Sequence, residues 1–203
     1  MVTTPPHSPQ PTQVTNTSPP PPPKIHADAT NFSPNLTKPE AYQQLLDEVE
    51  GLCYEQRNWV CNLSNTSSLL WHLYRSLPAP ASNVNWAGFY VYDHTSAPEN
   101  PRLILGPFQG KVACQIINFG RGVCGTAAAT QTTQLVPNVE KFPGHIACDS
   151  SSRSEIVVPI IVEGKGVVGI IDIDCTVENG FDEVDKENLE KLADFIAKSS
   201  DWP

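Results

Sequence analysis

The chain has no apolar run approaching the roughly 20 residues that a membrane-spanning helix requires, so no spanning segment is expected. Its N-terminus has neither the basic stretch nor the apolar core of a secretory signal. The first arginine is Arg57, which also argues against a mitochondrial presequence. The expected compartment is therefore the cytoplasm, where thiols rest reduced. The six cysteines include no CxxC pair, and no histidine cluster has ligand spacing, so no metal site is expected. No bound cofactor is expected either. Basic residues are in deficit, with 13 Lys and Arg against 22 Asp and Glu and a net charge of -9. Such a surface repels phosphate backbones, which excludes nucleic acid as a natural partner. There is no internal repeat.

The prolines are unevenly spread. Residues 1–40 hold 11 of the 20, including the run Pro19 to Pro23. That stretch has too few aromatic and branched apolar residues to offset its chain entropy. Residues 1–38 therefore read as a disordered tail leaning toward polyproline II, and residues 39–203 as one domain of ordinary length. Within residues 1–40, Lys24, Lys38, Asp28 and Glu40 cancel, so the whole net charge of -9 falls on residues 41–203.

Helical spacing starts at Pro39, with Tyr42, Leu45, Leu46, Val49, Leu52 and Cys53 on one stripe. A second helix runs from about Asn58 to Leu77 and is stopped by Pro78 and Pro80. SNVNWAGFYVYD is strand-like, and RLILGPFQG and KVACQIINFG read as two further short strands. GRGVCGTAAATQ reads as a turn entering a short helix, and TTQLVPNV carries another strand. SEIVVPI and GVVGIIDIDC form a hairpin around Glu163–Gly166. The C-terminal FDEVDKENLEKLADFIAK is amphipathic, with acids at its start to complement the helix dipole. This order predicts an α+β domain with helices packed on one face of an antiparallel sheet.

Three constellations carry potential chemistry. Cys53 and Cys61 lie among apolar helical residues and read as buried structural thiols. Cys114, Cys124 and Cys148 lie in polar or glycine-rich contexts, where a redox or nucleophilic role stands beside three inert thiols. Cys124 sits between glycines at a helix start, and positive potential there is expected to lower its pKa. Cys148 sits in the polar loop of GHIACDSSSRSE, before a core strand. In IIDID, alternation puts Asp172 and Asp174 on one strand face and Ile171 and Ile173 on the other. Glu155 opens the strand across the hairpin, so three carboxylates are expected to line one pocket unless they are exposed strand ends. In NWAGFY, Trp86, Gly88 and Tyr90 share a face, either as a shallow apolar cup or as ordinary core.

NWAGFY, LGPFQGKVACQI, GRGVCGTAA, FPGHIACDSSSRSEIVVPI and GVVGIIDIDC, in that order, resemble the free methionine-R-sulfoxide reductases, a branch of the GAF-domain superfamily. The resemblance covers about residues 40–200. It implies a GAF-like fold with a ligand cavity on the sheet face opposite the helices, and reduction of the free amino acid sulfoxide. It assigns Cys148 as nucleophile, Cys114 as resolving cysteine and Cys124 as an auxiliary or alternative partner. Trp86 and Tyr90 would shape the pocket for the S-methyl end. Glu155, Asp172 and Asp174 would hold the ammonium group and the sulfoxide, with Glu155 and Asp174 the candidate acids. A sulfenic acid and then an intramolecular disulfide would form, and thioredoxin would recycle the enzyme. Cys175 stands where a serine is usual, near the proposed site, and could offer an off-pathway disulfide. Oligomeric state stays open, a homodimer among the options. The rival readings are a non-enzymatic GAF domain sensing a small ligand and a cysteine-based redox sensor.

Overall fold

The computed structural model describes Met1 and residues 31–144 and 150–203. Six strands form one antiparallel sheet in the order β3-β2-β1-β6-β5-β4. They are β1 Val84–Tyr92, β2 Arg102–Gly110, β3 Ile116–Asn118, β4 Gln134–Val136, β5 Ser154–Val162 and β6 Gly166–Cys175. Four α-helices accompany them: α1 Lys38–Cys53, α2 Trp59–Ser76, α3 Gly122–Thr130 and α4 Glu183–Ser199. Of KVACQIINFG only three residues pair as β3, and Lys111–Gln115 is irregular.

Strand alternation divides the interior into two cores. Ala87, Phe89, Ile156, Val158, Ile171 and Ile173 face α1, α2 and α4 and are essentially sealed from solvent. Each large aliphatic side chain buried there contributes about 1.5–3 kcal/mol. Trp86, Tyr90, Val157 and Ile170 point the other way and are covered by α3 through Val123, Cys124, Ala127 and Ala128. The fold is thus the expected α+β arrangement, with one short helix added on the cavity face. Among the described residues no helix is long and apolar enough to cross a membrane.

Local chemistry sets the helix ends. The Asn58 side chain caps α2 by accepting from Cys61 N at 3.1 Å. The Asp182 side chain accepts from Val184 N and Asp185 N at the start of α4. Asp185 also anchors the three-helix layer. Its Oδ1 accepts from the hydroxyls of Tyr42 (2.9 Å) and Tyr74 (3.2 Å), and its Oδ2 from Lys38 Nζ (2.6 Å).

Packing on this layer begins ahead of residue 39. Phe32 and Leu36 pack against the helical core, and Glu40 accepts from the Thr37 backbone at 2.8 Å. Deleting residues 1–38 would also leave the fully buried Asp185 without its ammonium partner. That truncation is expected to lower Tm by roughly 5–15 °C. A truncation of residues 1–30 should leave Tm unchanged. Parallel thermal melts of the two proteins check this, and equal melts would show that the 31–38 contacts add nothing.

Candidate active site

The site is built on three neighbouring strands. β5 pairs with β6, and β6 with β1, so that Glu155 is opposite Asp174 and Asp174 opposite Trp86. One pleat along, Val157 is opposite Asp172 and Asp172 opposite Gly88. Alternation thus delivers Glu155, Asp172, Asp174, Trp86 and Tyr90 to one face, as the sequence pattern predicts.

Trp86 stacks on Phe108 with centroids 5.2 Å apart and on Tyr90 at 5.8 Å, making a continuous aromatic wall. Gly88 makes the wall geometrically feasible. A Cβ there would lie 2.3 Å from Phe108 Cβ and 2.8 Å from Trp86 Cη2. The Trp86 indole donates from Nε1 to the Lys111 carbonyl at 3.1 Å, tying the wall to the segment that carries Cys114. Trp86, Tyr90, Asp172, Asp174 and residues 111–113 line a small cavity of about 20 Å³. Phe108 escaped the sequence reading; its signal is the glycine across the strand pair, which leaves space that an aromatic ring fills.

The carboxylates are not exposed strand ends. Glu155 is 6% and Asp172 5% exposed, while Asp174 is half-buried. Burial, reinforced by the charges of Asp172 and Asp174, pushes the Glu155 carboxyl well above the usual range. Burial raises Asp172 to about 7, although the neighbouring Cys124 and Glu155 favour its ionised form. Among the described residues, Asp172 Oδ1 accepts no hydrogen bond.

Cys124 corrects one expectation. It lies in the first turn of α3, but the helix start does not activate it. The thiol is buried against Asp172, Glu155 and Asp174, and burial followed by those charges holds its pKa well above normal. It donates to Glu155 Oε1 at 3.4 Å. Gly125 permits this placement, because a Cβ there would fall 2.3 Å from the Asn118 carbonyl oxygen. Cys175 corrects another. One residue past Asp174, it points to the opposite face, is 0% exposed beneath the helices, and contacts the Pro80 carbonyl at 3.6 Å. It is therefore on the wrong side of the sheet to form a disulfide in the cavity. Cys53 is buried as expected, whereas Cys61 is half-buried on α2, near enough to Cys53 to help burial raise that thiol's pKa.

Cys114 is disulfide-bonded, and Cys53, Cys61, Cys124 and Cys175 are free thiols. Cys148, assigned above as the nucleophile, lies outside the described residues.

A carboxyl raised in the folded state favours folding while protonated. The associated stability is complete below the ordinary carboxylate range and is lost as pH rises through about 7 for Asp172. Asp172→Asn removes that loss with little change in volume. It should be more stable than wild type at pH 8 by on the order of a few kcal/mol, and by less than half as much at pH 5, where most of the loss has yet to accrue. Urea unfolding at both pH values checks this; an equal difference at the two values would contradict the assignment.

A six-stranded antiparallel sheet with a carboxylate-lined cavity opposite its helices is a GAF-type architecture, and the chain belongs to the GAF-domain family, whose model matches residues 51–199. Within the family it is similar to enzymes of methionine sulfoxide. It is 63% identical over 174 residues to a free methionine-R-sulfoxide reductase of Saccharomyces cerevisiae, covering 86% of this chain and 93% of the relative. The Escherichia coli protein of that name is 41% identical, covering 80% of this chain and 90% of the relative. The solved structure of the Neisseria meningitidis free methionine-R-sulfoxide reductase with its substrate superposes with a TM-score of 0.73 at 40% identity, covering 83% of this chain and 93% of that one.

Proposed function

We propose that this protein reduces free methionine-R-sulfoxide to methionine by cysteine chemistry. The observation that carries the proposal is the buried cluster of Glu155, Asp172 and Cys124 beside an aromatic-walled cavity, in a chain 63% identical to a named enzyme of this activity. The substrate's α-ammonium pairs with Asp172 and Asp174, and its S-methyl end lies against Trp86 and Tyr90. Glu155, whose burial among acids favours its protonated form, donates a hydrogen bond to the sulfoxide oxygen and makes the sulfur electrophilic. The Cys148 thiolate attacks that sulfur. The protonated oxygen then passes to the cysteine sulfur: the S–O bond and the transient S–S bond break, an Sγ–O bond forms, and methionine leaves with its sulfur reduced by two electrons. Cys148 retains the oxygen as a sulfenic acid.

Cys114 then attacks the sulfenic sulfur, water departs, and a disulfide forms. Its bonded state supports Cys114 in the resolving role, whereas the Cys124 thiol is free, buried and raised in pKa, all of which make it a poor nucleophile. An external dithiol protein of the thioredoxin type restores the thiols by exchange, in a reducing compartment such as the cytoplasm. A sensor domain would need the carboxylates but not this set of cysteines.

The test is to incubate the purified protein with free methionine-R-sulfoxide and dithiothreitol and to measure methionine. The S epimer and N-acetyl methionine-R-sulfoxide serve as controls. Turnover of the free R epimer alone is expected, since acetylation removes the cation that the carboxylates recognise. Equal rates on the acetylated substrate would refute the pocket, and no turnover at all would favour the sensor.

A further inference from the structure

The geometry points to Cys124, Glu155 and Asp172 as a binding site for a thiophilic divalent cation, zinc above all. One sulfur and two carboxylate oxygens lie within 4.8 Å of one another, all three residues buried. The Cys124 Sγ to Glu155 Oε1 distance is 3.4 Å. Tetrahedral zinc with a sulfur at about 2.3 Å and an oxygen at about 2.1 Å needs those two ligands about 3.6 Å apart. A rotation of the Asp172 carboxylate would close the third contact. Asp172 is itself 5% exposed, and its Oδ1 accepts no hydrogen bond among the described residues. A buried acceptor without a donor is costly, and a bound cation would satisfy it.

The donor set also selects among cations. Calcium requires six to eight oxygen ligands and magnesium a near-octahedral shell, neither of which three buried groups that include a thiol supply. A borderline-soft ion that accepts sulfur and oxygen together fits. Three protein ligands leave a fourth position open, and one of them, Asp172, lines the cavity beside Asp174 and Trp86. Zinc there would occupy Asp172, which the proposed function gives to the substrate's ammonium group, and Glu155, which it gives to the sulfoxide oxygen, and would act as an inhibitor. The metal site itself rests on the geometry alone.

Cobalt(II) titration of the full-length protein with its disulfide formed tests this. The band read out is the absorption of thiolate-to-cobalt charge transfer, and zinc is then added to displace the cobalt. No substrate or dithiol is present, so the outcome is separate from whether the protein turns over sulfoxide. One equivalent of cobalt should produce the band, and zinc should abolish it. Cys124→Ser should lose the band, and Asp172→Asn or Glu155→Gln should raise the cobalt Kd at least about tenfold, as removal of one of three ligands implies. Cys61→Ser, which removes a half-buried free thiol on α2, should bind like wild type. Absence of the band in wild type, its survival in Cys124→Ser, or its loss in Cys61→Ser would overturn the site. Should Cys124→Ser not fold, unchanged affinity in both carboxylate variants would do the same.

Discussion

Glu155→Gln is expected to slow methionine formation in a single turnover by about 10²–10⁴-fold, the usual worth of a positioned proton donor. The substitution is nearly isosteric, and β5 retains its pairing with both neighbours, so the protein should remain folded. Glutamine cannot deliver a proton to the departing oxygen, although its amide can still form a hydrogen bond. The effect should therefore fall on the chemical step more than on KM. Asp172→Asn should show the reverse balance, with KM raised through the lost ammonium contact. The environment distinguishes the two roles. Glu155 is held well above the carboxylate range by burial and two acidic neighbours, while Asp172, at about 7, is about half ionised near neutrality. Rapid-quench measurement of methionine on the two variants checks the split. A Glu155→Gln rate indistinguishable from wild type would remove the acid-assisted step.

Cys148→Ser should abolish even the first release of methionine, because no thiolate remains to attack the sulfur. Cys114→Ser should retain that first release and then stall in thioredoxin-driven cycling, its sulfenic acid lacking a partner. The two defects are distinguishable by counting methionine formed per protein before and after a dithiol protein is added. Methionine release by Cys148→Ser would move the nucleophile to another cysteine. Rapid cycling by Cys114→Ser would make Cys124 the resolving residue, despite its burial beside three carboxylates.

The parts of the site legible in the sequence are those that strand alternation dictates. IIDID and NWAGFY each place their functional side chains on one face by period two, and the hairpin brings Glu155 level with Asp174. What alternation cannot convey is depth. The first turn of α3 looked polar and activating for Cys124, but the helix lies flat on the sheet, so burial among acids outweighs the helix field. Phe108 was hidden because its importance lies across a strand pair rather than within its own segment. Lys38 looked like the last residue of a tail, and only α4, 144 positions away at Asp182, reveals that it is part of the helical layer. Cys175 followed the site in sequence, yet the same alternation that exposes Asp174 to the cavity turns Cys175 away from it.

The pairing of β6 with both β1 and β5 has a consequence for how the chain folds. A slip of β6 by one residue would exchange its two faces entirely. Asp172 and Asp174 would be driven into the aliphatic layer under the helices, and Ile171, Ile173 and Cys175 would surface in the cavity. A misaligned hairpin would therefore lose its chemistry and its hydrophobic interior in the same event. The acidic pair that serves the reaction also acts as a proofreading device for strand alignment, because each misplaced carboxylate opposes the slipped state far more strongly than a misplaced isoleucine would.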